Sequence, residues 1–79
     1  MKFKILKRGS FGKEVKELQE NLNLIMDSNL IVDGIFGKHT ENILKRFQYR
    51  YYLLIDGKYG KESYNKIKSI KDEKFWRYQ

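Results

Sequence analysis

The sequence contains no cysteine, no proline, only one histidine and no long apolar run. Without cysteine, neither a disulfide framework nor a thiolate metal site can form, and His39 alone cannot supply a two-histidine site. No stretch approaches the roughly eighteen apolar residues that span a bilayer, and none pairs a basic start with an unbroken apolar centre. We therefore expect no membrane span and no cleavable signal peptide, and a fold that depends on an apolar core.

The 79 residues leave room for one small domain, which we take as 1–79. The net charge of +7 lies at the two ends: residues 1–8 hold four basic and no acidic side chains, and residues 66–79 hold five basic and two acidic ones. A basic surface favours anionic partners such as nucleic acid, acidic lipid or the polymers of a bacterial wall. The alternative is that lysine-rich ends only keep the domain soluble.

A sequence repeat organises the middle of the chain, because residues 30–40 and 53–63 align at an offset of 23. Both contain Asp-Gly-x-aromatic-Gly-Lys, and a shorter Gly-x-aromatic-Gly-Lys copy stands at 9–13. Asp-Gly is a turn signal, since Asp accepts hydrogen bonds from nearby backbone N–H groups and Gly adopts positive φ. We expect each aromatic to enter the core and each second glycine to cap a helix. The predicted turn residues are Gly9, Gly12, Asp33, Gly34, Gly37, Asp56, Gly57 and Gly60.

Apolar residues after each turn are spaced as on one face of an amphipathic helix. The spacing predicts helices over about 13–25 and 38–51 and a shorter one over about 61–70. The connectors Leu30–Val32 and Leu53–Ile55 are expected to drop into the core and are too short to build a sheet. The predicted fold is an all-α three-helix bundle with a core over 5–70, a basic N-terminal segment 1–8 and a basic aromatic tail 71–79.

Two further dipeptides accompany the turns: Leu18-Gln19 follows the first, and Phe47-Gln48 follows the second. With the turns, they match an ordered pattern of Val-x-x-Leu-Gln-x-x-Leu, Val-Asp-Gly-x-Phe-Gly-x-x-Thr, Phe-Gln and a second Asp-Gly turn. This set, over about residues 5–68, resembles the peptidoglycan-binding domain family of three-helix modules in bacterial and phage cell-wall enzymes. The resemblance implies a non-catalytic module that binds peptidoglycan. The matching residues are Leu6, Gly9, Ser10, Gly12, Val15, Leu18, Gln19, Leu22, Asn23, Val32, Asp33, Gly34, Phe36, Gly37, Thr40, Phe47, Gln48, Leu53, Ile55, Asp56, Gly57, Gly60 and Ser63.

The chain departs from the family pattern in two places. Tyr52 stands where the family usually ends its second helix with glycine, and a left-handed residue there costs Tyr roughly 1 kcal/mol more. We therefore expect a longer or differently capped helix. The aromatic tail lies beyond the pattern, and its rings either pack on the bundle with Phe3 and Ile5 or form a contact for a partner or a second copy. The rings concerned are Phe75, Trp76 and Tyr78.

Few residues have the character of catalytic groups. His39 is the one candidate for a base and sits in a predicted first helical turn, which is typical of a solvated side chain. Asp33 and Asp56 could be mistaken for paired glycosidase carboxylates, but their place in repeated turns favours backbone hydrogen bonding. Gln19 and Gln48 are either ligand contacts or, as we favour, buried amides that tie the connecting loops to the bundle. We predict no catalytic residue, no metal site and no cofactor.

A candidate binding surface lies on the outer face of the second helix. Arg can hold a carboxylate or phosphate with two hydrogen bonds, and Tyr offers a flat face for a sugar. A muropeptide presents sugars, amides and carboxylates, so this mixture suits it, although an ordinary solvated helix face is the alternative. The predicted contacts are Asn42, Arg46, Tyr49 and Arg50, with Tyr52 and Tyr59 as extensions.

The resemblance implies a module that anchors an attached or partner lytic enzyme on the wall, and the basic ends would add affinity for anionic polymers; periodicity and charge alone indicate only a basic helical domain. The Lys-, Asn-, Ile- and Tyr-rich usage fits a fragment of a larger protein or a phage lysis or tail protein that reaches the wall without its own signal peptide. Three alternatives stay open: an assembly or interaction module, for example in a phage particle; an unrecognised hydrolase; and a small nucleic-acid-binding domain. The last needs a basic recognition helix, which the electrically neutral middle of the chain argues against.

Overall fold

The computed structural model describes residues 3–77 of the chain, with side chains from Phe3 to Glu73. It contains three helices, α1 (Lys13–Met26), α2 (Lys38–Arg50) and α3 (Lys61–Arg77). Over this range there is no strand, and only two isolated antiparallel bridges occur, Leu6 with Tyr59 and Phe11 with Ile35. The all-α prediction is confirmed, and α1 and α2 begin and end within about one residue of the expected positions.

The third helix is longer than the sequence pattern predicted. It continues to Arg77, whereas the apolar periodicity indicated an end near residue 70. The apolar stripe stops at Ile70, but the following lysine and glutamate residues favour a helix and no glycine or proline interrupts them. Residues 71–77 therefore extend α3. The predicted contacts of Phe75, Trp76 and Tyr78 lie outside the side chains that the structure describes.

The core lies between the three helices and the turns that precede them. Phe36 and Phe47 are its largest fully buried apolar side chains. Burial of each such side chain contributes roughly 2–3 kcal/mol relative to leaving it in water. Among the described helices, none is both long enough and apolar enough to cross a membrane. The buried apolar residues are Leu6, Val15, Leu18, Leu22, Phe36, Leu44, Phe47, Tyr59, Ile67 and Ile70.

The two connectors enter the core only in part. Leu30 and Leu53 pack against it as expected, but Ile31 and Leu54 are exposed. The reason is a tight bend in each connector, where Asp33 N–H donates to the Ile31 carbonyl at 3.0 Å and the equivalent bond in the second copy is 3.1 Å. In each connector the bend holds the backbone of the middle residue, Ile31 or Leu54, at the surface.

The aromatic residues of the three Gly-x-aromatic-Gly copies do not behave alike. Phe36 and Tyr59 are buried, as predicted, whereas Phe11 is 76% exposed, so the expectation was wrong for the first copy. That copy lacks the Asp-Gly bend of the other two. Instead its backbone pairs with the next turn through the bridge between Phe11 and Ile35, which leaves the Phe11 ring outside.

The end of α2 keeps a left-handed cap despite the tyrosine. Tyr52 has φ 61°, its N–H donates to the Tyr49 carbonyl at 3.3 Å, and Leu53 N–H donates to the Gln48 carbonyl at 2.8 Å. These two bonds define a Schellman motif, in which the left-handed residue is usually glycine. The expectation of a longer or differently capped helix is therefore wrong. Tyr52 adopts the glycine conformation at a cost of about 1 kcal/mol, with its ring 96% exposed.

Candidate functional site

Gln19 holds the first Asp-Gly turn against the bundle with four hydrogen bonds. Its Nε2 donates to Asp33 Oδ1 at 3.1 Å, to the Ile35 carbonyl at 3.0 Å and to Thr40 Oγ1 at 3.0 Å. Its Oε1 accepts from Gly34 N–H at 2.9 Å. The side chain is buried and its polar atoms are all engaged within the fold. Gln19 is therefore the buried tie that the sequence favoured over a ligand contact.

Gln48 repeats this arrangement around the second turn. Its Nε2 donates to Asp56 Oδ1 at 3.0 Å, to the Lys58 carbonyl at 3.0 Å and to Ser63 Oγ at 3.2 Å. Its Oε1 accepts from Gly57 N–H at 2.9 Å. We call Gln19 with residues 30–40 the Gln19 unit, and Gln48 with residues 53–63 the Gln48 unit.

The two turn aspartates act as hydrogen-bond acceptors for the backbone. Asp33 Oδ1 accepts from Ile35 N–H at 2.9 Å, and Asp56 Oδ1 accepts from Lys58 N–H at the same distance. The backbone hydrogen bond from Ile35, followed by the bond from Gln19, holds the pKa of Asp33 below its ordinary value. A glycosidase acid needs a raised pKa, so the environment of Asp33 suits a structural acceptor instead.

The predicted turn glycines lie in the turns or immediately before helices. Gly34 has φ 76°, and a Cβ placed there would stand 3.1 Å from the Gly12 carbonyl oxygen. Gly12 N–H in turn donates to the Gly34 carbonyl at 2.9 Å, so the first two turns pack backbone to backbone. Gly37 is the N-cap of α2, and Gly60 directly precedes α3. Positive φ occurs at Gly9, Gly12, Gly34 and Gly57.

A groove of about 410 Å³ opens beside the Gln19 unit, and the sequence analysis did not predict it. His39, on its rim, is exposed, as expected for a solvated side chain. The signals that could have indicated the groove are two differences between the units. Gln19 and Asp33 are fourteen positions apart in the sequence, whereas Gln48 and Asp56 are eight apart. In addition, the position of His39 in the Gln19 unit corresponds to Glu62 in the Gln48 unit. The apolar lining of the groove is Leu30, Ile31, Ile35 and Ile43, and its exposed polar rim is Asn29, Asp33, Lys38 and His39.

The predicted outer face of α2 is exposed, and part of it lines a second depression. Tyr49, Arg50 and Tyr52 come together with Leu53 and Ile55 around a cleft of about 420 Å³. The structure thus places Tyr52 next to the outer face of α2, with its ring exposed to solvent. Asn42 and Arg46 are also exposed on α2 but do not line this cleft.

Tyr59 does not belong to the predicted surface. It is 8% exposed and belongs to the core. Its ring packs at 6.4 Å from that of Phe3 and at 6.2 Å from that of Tyr64, and burial raises its pKa. Its backbone also pairs in both directions with Leu6. The expectation of a ligand contact at Tyr59 is therefore replaced by a packing role.

The groove and the cleft lie at opposite ends of one stripe of α2. His39, Ile43, Arg46 and Arg50 are spaced 4, 3 and 4, which places them on one side of the helix over roughly 16 Å. We call this stripe, with the groove and the cleft, the α2 surface. It combines two guanidinium groups, flat aromatic rings and an apolar groove, so it can bind an extended ligand with anionic, sugar and aliphatic parts.

Comparisons with known proteins agree on one family. The sequence model described as "putative peptidoglycan binding domain" matches residues 11–67. A peptidoglycan-binding protein from Clostridioides difficile, solved in complex with glutamine hydroxamate, is 38% identical over 81% of this chain, with a TM-score of 0.77. The SleB N-terminal domain is 31% identical over 85% of this chain and 92% of its own length, with a TM-score of 0.81.

A third similar structure is that of a fused Zn-dependent amidase/peptidase/peptidoglycan-binding domain-containing protein from Clostridium acetobutylicum ATCC 824. It is 33% identical over 84% of this chain, with a TM-score of 0.78. The chain spans 29% of that protein and 40% of the C. difficile protein. No curated protein is significantly similar to the chain.

Proposed function

Because this chain belongs to the peptidoglycan-binding domain family, we propose that it is a non-catalytic module that binds peptidoglycan and holds an attached or partner lytic enzyme on the cell wall. The observation that carries the proposal is the α2 surface, which exposes the arginine and tyrosine side chains expected of a muropeptide site. Its place of action is the wall, whether the enzyme is secreted or belongs to a phage lysis system.

The chemistry of the α2 surface supports this ligand class. Arg46 and Arg50 can each form charge-assisted hydrogen bonds with carboxylate or phosphate groups. The Tyr52 side chain is almost fully exposed and that of Tyr49 is largely exposed, so each ring can cover one face of a sugar ring. The positive charge at the chain ends adds a long-range attraction to anionic wall polymers.

The non-catalytic part of the proposal is supported by how the polar side chains are used. The turn aspartates and both buried glutamines make hydrogen bonds within the fold, and His39 on the groove rim is an exposed side chain. The C. acetobutylicum protein carries a domain of this kind together with an amidase/peptidase. A tethered module of modest affinity raises the effective concentration of such an enzyme at the wall.

Co-sedimentation with purified sacculi tests the proposal. We expect the protein to pellet with sacculi at low and moderate salt, both before and after acid removal of the attached anionic polymers. The double variant Arg46→Ala/Tyr49→Ala should reduce retention about tenfold, since it removes a charged hydrogen-bonding group and a stacking surface. Its matched control is Lys16→Ala, an exposed charge on α1, which should retain wild-type binding.

Three results would count against the proposal. Wild-type protein that stays in the supernatant at low salt contradicts wall binding. Unchanged retention of the double variant, with its melting temperature also unchanged, removes the α2 surface as the site. Loss of turbidity of the sacculi would contradict the non-catalytic assignment.

A further inference from the structure

The two turn units differ in what lies over their connectors. In the Gln48 unit, the Glu62 carboxylate turns back on its own connector, where its Oε1 accepts from Leu54 N–H at 3.4 Å. The equivalent residues of the Gln19 unit are His39 and Ile31. Among the described groups, the backbone of residues 3–77 and the side chains of residues 3–73, none accepts a hydrogen bond from Ile31 N–H. Ile31 and His39 instead line the open groove.

We propose that the groove binds a carboxylate group of a short peptide, in the place that the Glu62 side chain occupies in the Gln48 unit. The Ile31 N–H takes the role of Leu54 N–H as donor to the ligand oxygen. Lys38 and His39 on the groove rim supply further donors. This proposal rests on the proposed function, since it names the part of a peptidoglycan ligand that enters the groove.

The groove tolerates a carboxylate even though Asp33 contributes a negative charge to its lining. Asp56 occupies the same position in the Gln48 unit, and the Glu62 carboxylate still reaches Leu54 there. In both units the aspartate oxygen Oδ1 accepts two hydrogen bonds that spread its charge into the turn. Lys38, matched by Lys61 in the second unit, adds a positive charge to the groove lining.

The groove suits a peptide better than a sugar. Its walls are branched aliphatic side chains, and no Phe, Tyr or Trp among the described residues lines it. The flat tyrosine rings lie instead at the cleft, at the other end of the α2 surface. A muropeptide along α2 therefore places its stem peptide toward His39 and its sugars toward Tyr49 and Tyr52.

A pair of soluble ligands tests the proposal with the full chain labelled with ¹⁵N. The probes are an N-acetylmuramoyl stem peptide with free carboxyl groups and the same compound with every carboxyl group amidated. We expect the acid to bind about tenfold more tightly, since one charge-assisted hydrogen bond is lost on amidation. The Ile31 amide signal should shift more with the acid than with the amidated compound. Equal affinity of acid and amide overturns the proposal.

A substitution that copies the Gln48 unit provides a second test. His39→Glu places a carboxylate where Glu62 stands in the other unit. It should move the Ile31 amide proton downfield without ligand and weaken binding of the acid probe at least tenfold. The matched control, Glu62→Gln, changes the other unit and should leave binding unchanged. The proposal is overturned if the His39→Glu variant binds the acid probe as tightly as the wild type does. It is also overturned if the Ile31 amide proton of the variant does not move in the absence of ligand.

The tests separate failure of this inference from failure of the wall-binding function. If sacculi retain the protein but acid and amide bind equally, the module binds peptidoglycan without the carboxylate contact. The opposite result is that the acid probe binds more tightly than the amide and shifts the Ile31 amide signal, but sacculi do not retain the protein. In that case the groove recognises carboxylates and the wall-binding function is wrong.

Discussion

The Gln19 unit and the Gln48 unit have the same internal hydrogen bonds but different surfaces. In each, a buried glutamine amide joins an aspartate, a carbonyl, a hydroxyl and a glycine N–H. Over this shared frame, the Glu62 carboxylate accepts a hydrogen bond from the Leu54 N–H of one connector, whereas His39 lines a groove beside the other connector. Because the two glutamine amides make the same bonds in both units, the difference between the units lies in the residues above the turns.

The largest expected effect comes from removing either glutamine amide. Gln19→Leu and Gln48→Leu each delete four hydrogen bonds and leave a buried glycine N–H without its acceptor. We expect each to lower the free energy of unfolding by about 3 kcal/mol. Urea denaturation followed by circular dichroism measures the loss. A loss below about 1 kcal/mol at either position, or a large difference between the two, would show that the units are not equivalent in stability.

A smaller effect should distinguish the turn glycines. Both Gly34 and Gly57 have positive φ, so alanine at either costs about 1 kcal/mol. At Gly34 the new Cβ would stand 3.1 Å from a backbone oxygen of Gly12, which cannot move freely. At Gly57 it would meet the flexible side chains of Lys45 and Glu41 at 2.9 and 3.0 Å. We therefore expect Gly34→Ala to cost about 2 kcal/mol and Gly57→Ala about 1 kcal/mol in thermal melts. The reverse order would refute the backbone contact.

The smallest effect concerns the ends of α1 and α2, which both finish in a left-handed residue. Asp27 has φ 53° and Tyr52 has φ 61°, but aspartate tolerates this conformation better than tyrosine. Tyr52→Gly should raise the free energy of unfolding by about 1 kcal/mol, and Asp27→Gly by about half as much. If the Tyr52 ring contacts the wall, the more stable Tyr52→Gly protein should also bind sacculi less well. If Tyr52→Gly leaves the free energy of unfolding unchanged, the strain of the left-handed Tyr52 backbone is relieved elsewhere in the structure.

The helices and turns were predictable because their signals are local. The apolar spacing in α1 and the Asp-Gly turns depend on residues a few positions apart, and both lie where the pattern placed them. The end of α3 was missed since the periodicity stops at Ile70 while the helix continues on polar residues. The cap at Tyr52 was misjudged because tertiary contacts of Leu53 hold a conformation that tyrosine alone disfavours.

The candidate site was less predictable than the fold. Exposure of Arg46, Tyr49 and Arg50 followed from helical spacing alone. Burial of Tyr59 did not, because its position depends on Phe3 and Leu6, more than fifty positions earlier in the chain. The groove was missed for the same reason, since its walls come from α2 and from the connector after α1.

By itself the sequence determined three amphipathic helices, two matching aspartate turns and the family to which they belong, because each depends on a short stretch of residues. Only the tertiary structure decided which connector N–H receives a side-chain acceptor and which faces the groove. That outcome depends on how a connector packs beside the first turn of the following helix, where a glutamate bends back over its chain and a histidine leaves space. The residue types at positions 39 and 62 are visible in the sequence, but the packing of each connector beside its helix is not.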